Sequence, residues 1–171
     1  MKPTIMAALA ASLWTLASAA SAQHVVLARH AEKADASRDP VLSEAGTLRA
    51  QALAATFGAD GPDLVLVSPL QRTALTAAPT AAAFGAPVRA FALDGGVDAH
   101  VAAIVAEIAA QPEDAVILVV GHSNTVPLIA RALGVEAADM PECEYDRLTR
   151  VDLTASVPHA DVVRYGAATT C

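Results

Sequence analysis

Four side chains carry most of the chemistry this sequence offers: Arg29 and His30 in VVLARHAEKAD, Arg72 in SPLQRTALTAAP, and His122 in VGHSNTVP. Val25, Val26, Leu27 and Ala28 ask for a dry interior, yet an arginine and a histidine follow with no turn residue between them. Ser68-Pro69-Leu70-Gln71-Arg72 and Gly121-His122-Ser123-Asn124-Thr125 likewise follow apolar runs. Guanidinium groups present forked donors that match the oxygens of a tetrahedral dianion. A neutral imidazole, with a reference pKa of about 6.5, attacks phosphorus as a nucleophile. The second imidazole and the arginines stabilise charge on the equatorial oxygens during in-line transfer. Each segment alone suits a solvated loop or a capping histidine, but three together read as a phosphate cradle. No histidine or cysteine stands at a metal-ligand spacing, so neither a metal nor another cofactor is expected.

The elements that position these residues follow from hydrophobic periodicity. Apolar runs of strand length occupy 25–28, 64–67, 88–93 and 115–120, each bounded by Pro, Gly, Asp or Ser. Helical patterns lie between them. Val101, Ile104, Val105 and Ile108 form one apolar stripe, and Val126, Ile129, Ala130 and Leu133 repeat its spacing. Ser43 is the expected N-cap of a helix through Phe57. Ser68-Pro69 has the form of an N-cap followed by proline at the first helical position, and Pro79 should end or kink that helix. Residues 147–153 and 161–165 read as two closing strands near an edge. Strand and helix alternating with uninterrupted apolar strands predict an α/β fold, a mostly parallel central sheet with helices on both faces in a single compact domain. Ligands of such sheets bind beyond the carboxyl ends of the strands, where all three polar segments emerge.

Residues 1–22 have the form of a secretory signal peptide. Lys2 precedes an apolar stretch around Trp14, and Ala20-Ser21-Ala22 supplies small residues at the cut. The stretch is short for a membrane span, so no stable membrane anchor is expected. The domain is then 23–171. The full chain carries 11 basic and 18 acidic residues, a net −7, and losing Lys2 makes the remainder −8. That charge argues against nucleic acid and anionic membranes as partners. Cys143 and Cys171 make an even pair, which in an oxidising compartment reads as a disulfide. A periplasmic or secreted location is expected.

In order and spacing, LARHAEK, SPLQRTALTAAP and VGHSNTVP resemble the histidine phosphatase superfamily, related to the phosphoglycerate mutases. The resemblance spans nearly the whole chain after residue 22. It implies that His30 is the nucleophile that becomes phosphorylated and that Arg29, Arg72 and His122 complete the phosphate pocket. Ala31 stands where many members carry glycine, and the RHAEK form resembles a bacterial, often exported subgroup. The proton donor departs from the common patterns. The mutase-like branch carries an acid after the third strand, where FALDGGVDAH offers Asp94 first and Asp98 second. Ser123 stands where the acid-phosphatase branch carries aspartate, and Glu32 is a third choice. Either aspartate suits a turn with Gly95-Gly96 or an N-cap equally well. His100 falls on the polar side of its helix, facing solvent. The expectation is an exported, metal-independent phosphatase that cleaves phosphomonoesters of a small molecule, sugar or peptide through a phosphohistidine. The alternative is a non-catalytic phosphate-group binding protein of the same fold. Oligomeric state is left open.

Overall fold

A computed structural model describes residues 23–59, 61–154 and 156–171, so the expected signal peptide lies outside the described residues. Ten elements alternate through most of the chain: β1 (His24–Arg29), α1 (Glu44–Ala54), β2 (Leu64–Val67), α2 (Gln71–Phe84), β3 (Val88–Ala90), α3 (Gly96–Ala109), β4 (Val116–Gly121), α4 (Val126–Ala132), β5 (Arg147–Asp152) and β6 (His159–Arg164). They build one six-stranded sheet in the order β3-β2-β4-β1-β5-β6. The first four strands of that order are parallel, and β5 and β6 are antiparallel additions. The expected mostly parallel α/β domain is therefore the observed one.

β1, β2 and β4 are apolar on both faces because both are covered. Val25, Leu27, Leu64, Leu66, Ile117 and Val119 pack with Ile104 and Ile108 of α3 and Ile129 of α4. Their alternates Val26, Ala28, Val65, Val67, Leu118 and Val120 pack with Leu53 of α1 and Ala77 of α2. Burying a side chain such as Ile104 or Leu53 contributes about 1.5–3 kcal/mol. Helices this short are marginal alone in water, so packing on the sheet holds them. Register then places the site: Arg29 pairs with Gly121 and Val67 with Val120, so β1, β4 and β2 end side by side.

Several local expectations differ. Ser43 does cap α1, its hydroxyl accepting from Gly46 N–H at 3.1 Å, but α1 stops at Ala54 and residues to Phe57 form a turn. Ser68-Pro69 does not start α2. The helix begins at Gln71, whose N–H donates to Asp39 Oδ1 at 2.9 Å, a carboxylate from a distant loop. Pro79 does not end α2, which runs on to Phe84. The carbonyl deprived of its partner belongs to Leu75, an exposed residue, so water can satisfy it while Thr76, Ala77 and Thr80 stay packed. β3 is shorter than 88–93 because it is an exposed edge strand paired only with the four-residue β2. Cys143 and Cys171 form a disulfide, tying residue 171 to the loop before β5. Among the described residues no helix is long and apolar enough to cross a membrane.

Candidate active site

The segment after β1 is clamped from two sides. His30 N–H donates to Gly121 O at 2.9 Å, continuing the ladder to β4, and Ala31 N–H donates to Thr76 Oγ1 of α2 at 2.9 Å. His30 Nδ1 lies 2.8 Å from Ala31 O. A carbonyl only accepts, so Nδ1 carries the proton and Nε2 keeps its lone pair. The ring is buried. Burial first, then the charges of Arg29, Arg72 and Lys33, bring its pKa down to about 4 against the opposing bond to Ala31. His30 is thus a neutral imidazole with a free nucleophilic nitrogen at neutral pH.

His122 emerges from β4 beside it, the two rings 5.3 Å apart between centroids and edge to face. Gly121 permits this exit, since a Cβ there would stand 2.8 Å from Thr125 Oγ1 and 3.1 Å from Val126 Cγ2. Thr125 Oγ1 accepts from His122 N–H at 2.9 Å. His122 Nε2 lies 3.0 Å from Ser68 Oγ, which lies 2.9 Å from Thr73 Oγ1. Thr73 donates to a carbonyl, Leu70 O at 2.8 Å, so Ser68 donates to Thr73 and His122 Nε2–H donates to Ser68. Burial, then the charges of His30 and Arg72, lower the His122 pKa to about 3. Ser68, read from sequence as a helix cap, instead orients the second histidine.

The arginines complete the cluster in different ways. Arg29 is wholly buried; its Nη1 donates to the carbonyls of Pro141, Glu142 and Glu144 at 3.1, 2.7 and 3.2 Å. Its Nη2 donates to Glu142 Oε2 at 2.8 Å, and its guanidinium carbon sits 4.1 Å over the Tyr145 ring. Arg72, in the first turn of α2, stands 3.9 Å from Asp39 Oδ1. Both arginines have a buried Nε–H without a partner among the described residues. Leaving such a donor unmade costs about 1–3 kcal/mol, a cost that a bound oxyanion removes.

The remaining sequence expectations divide. Asp94 and Asp98 lie in the turn before α3 and in its first turn, both exposed, and neither side chain makes a hydrogen bond or ion pair among the described residues. Glu32 is engaged elsewhere, taking three bonds of 2.7–3.0 Å from Arg49, and its carbonyl packs so close to Gly46 that a Cβ there would meet it at 2.2 Å. His100 does not face solvent. It is buried at 1% exposure, with Nδ1 bonded to Ala92 O at 3.0 Å and Nε2 unpartnered among the described residues. Lys33 pairs its backbone with Leu42. Glu142, Tyr145 and Ser123 were not anticipated. Tyr145 lies 6.0 Å from the His30 ring, and the Ser123 hydroxyl donates to Glu142 Oε1. The only advance signal was Cys143, whose pairing fixes the segment that carries Glu142 and Tyr145. No group of three or more His, Cys, Asp or Glu suited to a metal occurs among the described residues.

Comparison with known proteins is consistent with this geometry. Residues 25–92 match the family described as histidine phosphatase superfamily (branch 1), a span that includes Arg29, His30 and Arg72. No curated protein sequence matches the chain. Among solved structures, the candidate phosphohistidine phosphatase SixA from Nakamurella multipartitia is 27% identical, with a TM-score of 0.61 over 86% of this chain and 98% of its own. Mycobacterial glucosyl-3-phosphoglycerate phosphatase Rv2419c is 19% identical, with a TM-score of 0.61 over 85% of this chain and 100% of its own. A candidate α-ribazole-5'-P phosphatase from Escherichia coli K-12 is 18% identical, with a TM-score of 0.62 over 85% of this chain and 96% of its own.

Proposed function

We propose that the chain, whose residues 25–92 match the histidine phosphatase superfamily, is a member of it and an exported phosphatase that hydrolyses phosphomonoesters through a phosphohistidine on His30. The observation that carries this reading is the pair of buried, unpartnered Nε–H groups on Arg29 and Arg72, brought together with His30 and its free Nε2. In the proposed reaction Nε2 attacks phosphorus while Arg29 and Arg72 bind the phosphoryl oxygens, and His122, which takes a second proton on Nδ1 once the bound dianion raises its proton affinity, stabilises the charge that develops on them. His30 needs no proton removed before it attacks, because its single proton already sits on the Ala31 side. None of these roles calls on a metal, so activity should survive strong chelation. Export is supported by the leader-like residues 1–22 and by the Cys143–Cys171 disulfide. The substrates we propose are phosphorylated small molecules, sugars or peptides, a reading supported by the family match and by the phosphatase names of the similar structures.

The experiment is covalent trapping. Protein quenched during turnover of a radiolabelled phosphomonoester should carry base-stable, acid-labile phosphate, and His30→Ala should abolish both label and turnover. A fully active His30→Ala protein would sink the mechanism. Phosphate binding with no label and no turnover in the unaltered protein would leave the binding-protein reading in its place.

A further inference from the structure

We propose that Glu142 hands the proton to the departing oxygen and that the leaving alcohol lies in the cavity Glu142 borders; this rests on His30 being the nucleophile. The Glu142 carboxylate joins two parts of the molecule. Its Oε2 accepts from Arg29 Nη2 at 2.8 Å, and its Oε1 accepts from the hydroxyl of Ser123, the residue after His122. With Ser123 it also lines a cavity of about 310 Å³, whose other walls include Asn124, Pro127, Leu128 and Met140. One carboxylate therefore stands between the phosphate-binding guanidinium and a space of the size that holds small ligands. In an in-line displacement the leaving oxygen departs on the side of phosphorus opposite the nucleophile. Its acid must border the place where the alcohol lies, and Glu142 does. Neither Asp94 nor Asp98 lines this cavity.

The carboxylate is also suited to cycle. The Ser123 hydrogen bond first holds its carboxyl below the usual range; burial opposes it, and the Arg29 charge adds to the lowering. A phosphoryl dianion draws those donors to itself and adds a like charge, and both changes raise the proton affinity of the carboxyl. In the first half-reaction the Nε2 lone pair forms an N–P bond as the P–O bond to the alcohol breaks, and the Glu142 carboxyl proton passes to the leaving oxygen. In the second half-reaction the carboxylate takes a proton from water as the water oxygen bonds to phosphorus. The N–P bond then breaks and returns its pair to His30. One monoester and one water give one alcohol and one phosphate.

The test compares Glu142→Gln, Asp94→Asn and Asp98→Asn on p-nitrophenyl phosphate, whose phenolate leaves unaided, and on glycerol phosphate, whose alkoxide does not. General acid catalysis is worth about 10²–10⁴-fold. Glu142→Gln should lose activity of that order on glycerol phosphate and less than about tenfold on p-nitrophenyl phosphate, with His30 still labelled by the latter. Its thermal midpoint should fall only slightly, since the side chain is 80% exposed and an amide oxygen still accepts from Arg29. Arg72→Ala, the control, should impair both substrates alike. Equal losses on both substrates for Glu142→Gln, or leaving-group dependence at Asp94 or Asp98 instead, overturn the proposal while the His30 label still stands. Absence of the label in the unaltered protein removes the underlying phosphohistidine reading and this proposal with it.

Discussion

His30 and His122 owe their neutral form to burial first and to the neighbouring positive charges second. Burial holds both neutral in the folded protein, down to about pH 4 for His30 and about pH 3 for His122. In the unfolded chain each takes a proton as pH falls through the ordinary value near 6.5. Below that value the unfolded state binds more protons, so stability is fully present above about 6.5 and declines progressively toward pH 4 and below. Thermal unfolding followed from pH 7.5 to 4.5 should show this decline. NMR titration of the imidazole signals should find both rings unprotonated at pH 5, and protonation of either near 6.5 would contradict the account. The Nδ1–H bond to Ala31 should persist throughout that range, keeping Nε2 available for attack.

The loop spanning residues 141–145 shapes the site without belonging to any regular element. Three of its carbonyls and one carboxylate hold Arg29, Tyr145 covers that guanidinium and flanks His30, and Cys143 anchors it to Cys171. Glu144 is gripped from the far side by Arg147 and Arg164. The loop is short and aperiodic, so its position depends on these fastenings. Cross-linking residues 28 apart restricts the unfolded chain by an amount worth about 3–4 kcal/mol in the chain-entropy model. Replacing both cysteines by serine should therefore lower the midpoint of denaturant unfolding. It should also raise KM on phosphomonoesters, because the carbonyls that aim Arg29 lose their anchor. Kinetics unchanged from the oxidised protein would show that the loop is held well enough without the bond.

At the scale of the whole molecule, the sheet order sets which ends meet. β1 lies between β4 and β5, and β2 lies on the other side of β4, so three strand ends deliver the polar cluster to one edge. The opposite edge of the sheet carries residue 23. Gln23 Nε2 donates to Ile108 O at 3.0 Å and to Pro112 O at 3.3 Å, while its carbonyl accepts from Leu153 N–H at 3.1 Å. A chain beginning at Gln23 retains those bonds. Mass analysis of protein recovered from the periplasm should find Gln23 as the first residue, with Cys143 and Cys171 joined under non-reducing conditions. A retained leader, or two alkylatable thiols, would refute the export reading.

Much of this was legible in the chain because parallel α/β architecture converts position along a strand into position in space. An apolar run followed at once by Arg29-His30 must send those residues out of the sheet's carboxyl edge, and the same holds for Arg72 and His122. Both closing strands and the cysteine pair were also readable, the first from periodicity and the second from parity. Other features belong to the tertiary structure alone. The Ser68 hydroxyl that orients His122 is 54 residues from it, and Glu142 is 113 residues from Arg29. Asp39 caps a helix that starts 32 residues after it, and His100 turns inward although it was read on the polar side of its helix. Periodicity reports which face of an element is dry, and capping rules report local backbone preference. Neither reports where a loop returns after the strands have paired. That is decided by ladder register and by the packing of α3 and α4 on one face of the sheet, and it is what brings residues 141–145 across the end of β1.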